Sequence, residues 1–230
     1  MAFDPQFKYR NLPDQLAEHI VVLLATGELE PGQRLYEKDI CEKLGVSRIP
    51  VREALRILQA QGVVRTEPNR GTFITEFGSD ETAEMLDVRV TVERIALRRI
   101  LKRVSAHPEL TAELREAVED MRRSAKLGDK LAYCRADLAF HSRLIDLSES
   151  PLLRPLWDSL SRGVLVFLMQ ERSVAFDYQA SLRDHEVLVE LIEQRKRAAL
   201  EQEIERHITG YLQRHREDSR QKVLTAGEPG

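Results

Sequence analysis

The sequence has 230 residues, of which 35 are Lys or Arg and 38 are Asp or Glu, for a formal net charge of −3. With 32% charged and 6% aromatic residues, it excludes a disordered or strongly basic chain and describes a helix-rich protein with one large or two small cores. No apolar run approaches the roughly 18 residues of a membrane span, Met1 to Arg10 lacks the apolar core of a signal peptide, and Cys41 and Cys134 show neither a disulfide framework nor zinc-ligand spacing, so a cytoplasmic protein with reduced thiols and no membrane partner is expected.

Asn11 can cap a first helix, with Pro13 in its first turn, Leu12, Leu16, Ile20 and Leu23 as its apolar stripe, and Gly27 as its stop. A turn at Glu30-Pro31-Gly32 leads to a second, short helix that carries Ile40 and Leu44 inward and breaks at Gly45. The link through Val46 to Ser47 is so short that the next helix must cross its predecessor steeply, as in a helix-turn-helix. Ser47 can cap that third helix, which runs to about Gln61. On it Val51, Leu55 and Leu58 share one face, and Arg48, Arg52 and Arg56 share another. Val63 to Thr66 and Thr72 to Thr75 are β-favouring runs around Pro68-Asn69-Arg70-Gly71, which read as a hairpin.

Three helices followed by a hairpin with a basic tip predict a winged helix-turn-helix over residues 1–75. The major groove admits a helix, and guanidinium groups near its start can take guanine O6 and N7 or hold phosphate. Arg48 is the candidate for base reading, Arg52 serves either purpose, and the tip with Asn69, Arg70 and Gly71 can lie on the backbone or in the minor groove. Arginines on a helix are often only a solvated face. Their agreement with the capped turn and the basic hairpin favours double-stranded DNA as the partner.

These motifs carry a resemblance. Glu30-Pro31-Gly32-Gln33-Arg34-Leu35, Leu44-Gly45-Val46-Ser47-Arg48, Pro50-Val51-Arg52-Glu53-Ala54-Leu55 and Asn69-Arg70-Gly71 resemble the GntR family of bacterial transcription regulators. The resemblance implies that Arg48 and Arg52 contact an operator, that Lys38 stands where a basic residue often does so, and that Gly71 lets the wing approach DNA. Ile49 replaces the usual threonine and Tyr36 the frequent proline, and both bear on the operator sequence.

After a linker at residues 76–79, long amphipathic helices follow. Ser79 can cap the first, to about Val104, and others are predicted over Pro108 to Leu127, Lys130 to Leu147, Pro151 to Arg172, Tyr178 to Gln194 and Arg197 to Asp218. The fold class expected is therefore mostly α: a winged helix-turn-helix, then an all-α antiparallel bundle of about six helices over residues 80–219, and a tail at 220–230.

Asp137 and His141 lie four apart on one helix face, and His185 and His207 lie on two later helices. One carboxylate and three imidazoles make a candidate site for zinc, nickel or another divalent ion. The plainer alternatives are a helix pair and satisfied histidines. Cys134 shares the stripe as a small buried residue. Asp184 and Glu186 flank His185 as the candidate general bases if the domain were instead a metal-dependent hydrolase or isomerase with a winged-helix targeting module. A winged helix used only for protein contacts is a third reading, which the arginines disfavour.

Arg89-Val90-Thr91-Val92-Glu93, Asp137-Leu138-Ala139-Phe140-His141, Asp184-His185-Glu186 and Arg206-His207-Ile208 resemble the ligand-binding FCD domain of the FadR branch of that family. The resemblance implies that Asp137, His141, His185 and His207 bind the metal and that Arg89 helps hold a small carboxylate effector, a role suited to its planar fork. The alternative for Arg89 is a surface arginine paired with Glu93. A homodimer on a palindromic operator is expected, because two recognition helices reading half-sites gain affinity together.

Overall fold

The computed structural model describes residues 12–170 and 177–210. Asn11, the final turns expected to about Arg172 and Asp218, and the tail lie outside the described residues. The chain divides into two compact units, one of Met1–Phe77 with Asp158–Val166 and one of Gly78–Trp157 with Phe167–Gly230.

In the first unit α1 (Leu12–Ala25), α2 (Glu37–Leu44) and α3 (Arg48–Ala60) precede the hairpin β2 (Val64–Glu67) and β3 (Gly71–Ile74), and β1 (Arg34–Leu35) adds a third strand in the order β1-β3-β2. Leu16, Ala17, Ile20, Val21 and Leu24 of α1 form the core with Val51, Ala54, Leu55 and Leu58 of α3 and with Val63, Val64 and Ile74. Burying each large aliphatic among these contributes about 1.5–3 kcal/mol before chain entropy opposes it. That leaves the opposite side of α3 in water.

Local details depart from the sequence expectation in four places. Gly45 ends α2 at φ 65 as expected, but α2 has no buried residue. Ile40 and Leu44 instead line a cavity of about 490 Å³ with Ile20, Leu23, Leu29 and Leu35. Ser47 occupies the N-cap position of α3 without a side-chain capping bond, and Gly78, not Ser79, is the N-cap of α4. β1 is too short for any periodicity to reveal it.

The second unit contains α4 (Ser79–Arg103), α5 (Glu109–Leu127), α6 (Lys130–Leu147), the two ends of α7 (Leu153–Gln170), whose middle, Asp158–Val166, belongs to the first unit, α8 (Tyr178–Glu193) and helical residues 197–210, here α9. Asp129 and Asp177 cap α6 and α8 by accepting from the Ala132 and Ala180 amides at 3.0 and 2.9 Å, which fixes where these two helices begin. α5 packs on α6 and α8, and α4 on α6. Leu86, Val90, Leu97, Ile100, Leu114, Met121, Tyr133, Phe140, Leu144, Leu188, Ile192, Ile204 and Ile208 are all buried. Arg94 and Arg98 of α4 bond to Glu201 of α9.

Candidate functional site

The exposed face of α3 presents Arg48, Ile49, Arg52 and Arg56. Ile49 is 74% exposed, so the residue that departs from the family pattern stands in the open beside Arg48. Arg52 Nε donates to Glu37 Oε2 at 2.8 Å, and Lys38 lies 3.6 Å from Glu42. Among the described residues Arg48 has no ion pair. Exposed pairs contribute about 0–1 kcal/mol, so neither contact commits Arg52 or Lys38 to its carboxylate.

The wing is more organised than its sequence suggested. Phe73 on β3 has Arg34 of β1 and Arg65 of β2 as its cross-strand neighbours. The guanidinium carbons of Arg34, Arg65 and Arg70 lie 6.0, 5.6 and 6.0 Å from its ring centre, at the outer range of cation–π attraction. Glu67 holds two of them, Arg65 at 2.7 Å and Arg70 at 2.5 Å. Gly71 adopts φ 106, and a Cβ there would stand 3.0 Å from Arg34 Nε. The glycine thus admits the Arg34 side chain as well as a left-handed turn.

In the second unit, Asp137 and His141 of α6, His185 of α8 and His207 of α9 are buried together, with one ligand atom from each lying within 4.8 Å of all the others. His141 Nε2 is 3.3 Å from His185 Nε2 and 3.2 Å from His207 Nε2, and His185 Nε2 is 3.2 Å from Asp137 Oδ1. Two ligands about 2.0–2.1 Å from one tetrahedral zinc stand about 3.3 Å apart. These separations fit a shared ion.

The outer contacts aim the rings. His141 Nδ1 faces Glu93 Oε2 at 2.6 Å, and His185 Nδ1 faces the Ser181 carbonyl at 2.7 Å. Each ring therefore turns its Nε2 inward. His207 Nδ1 has no hydrogen-bond partner, with Asp184 Oδ2 3.9 Å away. Burial pushes the His141 and His207 imidazoles down, His207 to about 3 with help from His185, so their lone pairs are available. Burial opposes ionisation of Asp137, but the hydrogen bond and charge of His185 and the charges of His141 and Arg89 outweigh it and hold the carboxyl below its ordinary range.

Arg89 is 2% exposed, not on the surface, and its Nε donates to Glu93 Oε1 at 2.7 Å. The pairing with Glu93 is real, but it is buried. Arg89 Nη2 is buried with no partner, a free donor for an anion. Its guanidinium also lies 5.9 Å from the Trp157 ring. The candidate bases are otherwise engaged: Asp184 accepts from Arg206 at 2.7 Å and Glu186 from Arg122 at 2.5 Å.

The sequence singles out Asp137, His141, His185, His207 and Arg89, all of them buried, but offers Glu93 only as a surface partner. The signal was present: on α4 the buried stripe Leu86, Val90, Leu97 and Ile100 is completed at its centre by a glutamate.

Two family models match the chain, one described as bacterial regulatory proteins of the gntR family over residues 12–74 and the other as the FCD domain over residues 84–210, more than half of the chain. The chain is a GntR-family regulator with an FCD domain. This regulator is 29% identical over 203 residues to a probable D-xylose utilization operon transcriptional repressor of Paenarthrobacter nicotinovorans, spanning 88% of each chain. It is 27% identical over 195 residues to the gluconate operon transcriptional repressor of Bacillus subtilis (strain 168), covering 83% of this chain and 79% of that one. The solved structure of E. coli McbR/YncC has the same fold, with a TM-score of 0.71 at 22% identity, over 89% of this chain and 98% of that one. The GntR-family chain is accordingly a DNA-binding transcriptional regulator and not an enzyme. The relatives reported above are transcriptional repressors, which favours the regulator over the hydrolase or isomerase alternative. Among the described residues no helix is long and apolar enough to cross a membrane.

Proposed function

We propose that this regulator, of the FadR branch, binds a palindromic operator as a homodimer, and that a small carboxylate at a metal site in its helical domain controls that binding. Residues 1–75 carry Lys38, Arg48, Arg52, Arg70 and Gly71 to DNA. After a linker at 76–79, residues 80–219 hold a divalent ion, zinc or nickel, on Asp137, His141, His185 and His207. When bound, the ion supplies an electrophilic centre for an anionic ligand.

The observation that carries the reading is the burial of three imidazoles and a carboxylate with converging ligand atoms. In this pocket Asp137 and Glu93 outweigh the single positive charge of Arg89, which suits a divalent cation. Arg89 supports the carboxylate with its unpartnered Nη2. The names of the relatives point both ways, since gluconate is a carboxylate and D-xylose is not, so the effector class rests on Arg89. Val88 and Ile95, seven apart on α4 and 52% and 41% exposed, offer an apolar face of the kind a symmetric partner covers.

Elemental analysis tests the metal. The wild type is expected to carry one divalent ion per chain, and His141→Ala and His185→Ala each to lose most of it. Full retention in both variants removes the metal claim.

A further inference from the structure

The Glu93 carboxylate lies between two groups with different tasks. Its Oε1 accepts from Arg89 Nε at 2.7 Å and its Oε2 lies 2.6 Å from His141 Nδ1, with all three side chains buried. Resting on the metal and carboxylate reading above, we propose that Glu93 is the positioning residue of the cluster and the link through which Arg89 acts on it.

A carboxylate has two oxygens and no proton, so it can accept from Arg89 and from His141 at once. Accepting from Nδ1–H leaves the His141 proton on Nδ1 and the lone pair on Nε2, the atom that faces His185 and His207. The same contact holds Arg89 by its Nε and leaves Nη2 as the free donor. An anion drawn to Nη2 and an ion held by His141 therefore share one carboxylate, and whatever displaces Glu93 from one displaces it from the other.

Glutamine at this position breaks the arrangement in a defined way. Its amide has a single acceptor oxygen, which Arg89 engages with a charge-assisted bond. The NH2 group then faces Nδ1, makes that nitrogen the acceptor, and moves the His141 proton to Nε2. The ring must then change tautomer before it can bind metal.

The test uses the full chain and zinc as probe. In metal-free wild type, ¹⁵N NMR of the histidine rings is expected to show His141 protonated at Nδ1, and in Glu93→Gln at Nε2. Chelator competition is expected to give about 10- to 100-fold weaker zinc binding in Glu93→Gln. Arg89→Lys, which cannot reproduce the planar fork, is expected to weaken zinc binding on its own and to add nothing in the Glu93→Gln background. An Nε2 proton on His141 in the wild type, an unchanged zinc affinity in Glu93→Gln, or additive effects of the two substitutions would each overturn the proposal. The wild-type tautomer decides even if Glu93→Gln does not fold. Absence of zinc uptake by the wild type is a different outcome, which fails the metal reading while the tautomer still decides the part of Glu93.

Discussion

Arg48→Ala is expected to weaken binding to a duplex selected by the protein from a random pool by about 10- to 100-fold, the loss of one guanidinium contact at about 1–3 kcal/mol. The residue is exposed in the first turn of α3 and, among the described residues, has no ion pair, so its removal costs no folded-state contact. Surface substitutions of this kind stay within about 0.5 kcal/mol in stability. The loss should therefore appear in anisotropy titrations with thermal unfolding unchanged. Discrimination should also relax at the base pair that Arg48 reads, whereas a phosphate-only role would lower affinity for all sequences and reduce the salt slope by about 1. Unchanged affinity and salt dependence would remove Arg48 from the interface.

Arg89→Ala is expected to have the largest effect on stability. It leaves Glu93, 0% exposed, without the charge that pairs with it. Breaking a buried pair by removing one partner costs about 3–5 kcal/mol, mostly as the penalty of the stranded charge. Burial opposes ionisation of Glu93, and the charges of His141 and Arg89 together hold its carboxyl at about 2. Without Arg89 only His141 is left to offset the burial of the carboxylate. A fall in Tm on the order of 10 °C follows for a domain of this size, read by calorimetry on the metal-free protein. An unchanged Tm would mean that water or His141 alone satisfies Glu93, and that Arg89 is dispensable to the pocket. The consequence for effector studies is practical: loss of carboxylate binding in Arg89→Ala would be mixed with loss of fold, so Arg89→Lys is the cleaner probe.

Much of this molecule was legible because its local rules agree. The apolar stripe of α3 and its arginine face separate at helical spacing, and the stripe is the buried face. The histidine cluster is legible for a different reason: histidines and an aspartate on the buried stripes of three helices are costly unless something compensates them. What escaped has short range in sequence or depends on tertiary pairing. Arg34 and Leu35 become a strand only because β3 is beside them, and Phe73 gathers arginines from three separate positions. Arg89 with Glu93 illustrates the limit most clearly. An Arg and a Glu four apart on a helix are the usual mark of a solvated face, and only the packing of α4 on α6 brings that pair inside.

On the proposed function, the occupant of the helical domain sets the DNA affinity of the winged helix. The direct measurement is anisotropy of the selected duplex, titrated with protein in chelator, with zinc, and with zinc plus a carboxylate chosen by thermal shift. Allosteric coupling of about 1–3 kcal/mol corresponds to roughly 5- to 150-fold. The wild type is predicted to change affinity by at least about 5-fold among these conditions, and His185→Ala to bind equally in all three. A wild type that binds the duplex with the same affinity throughout would contradict the account.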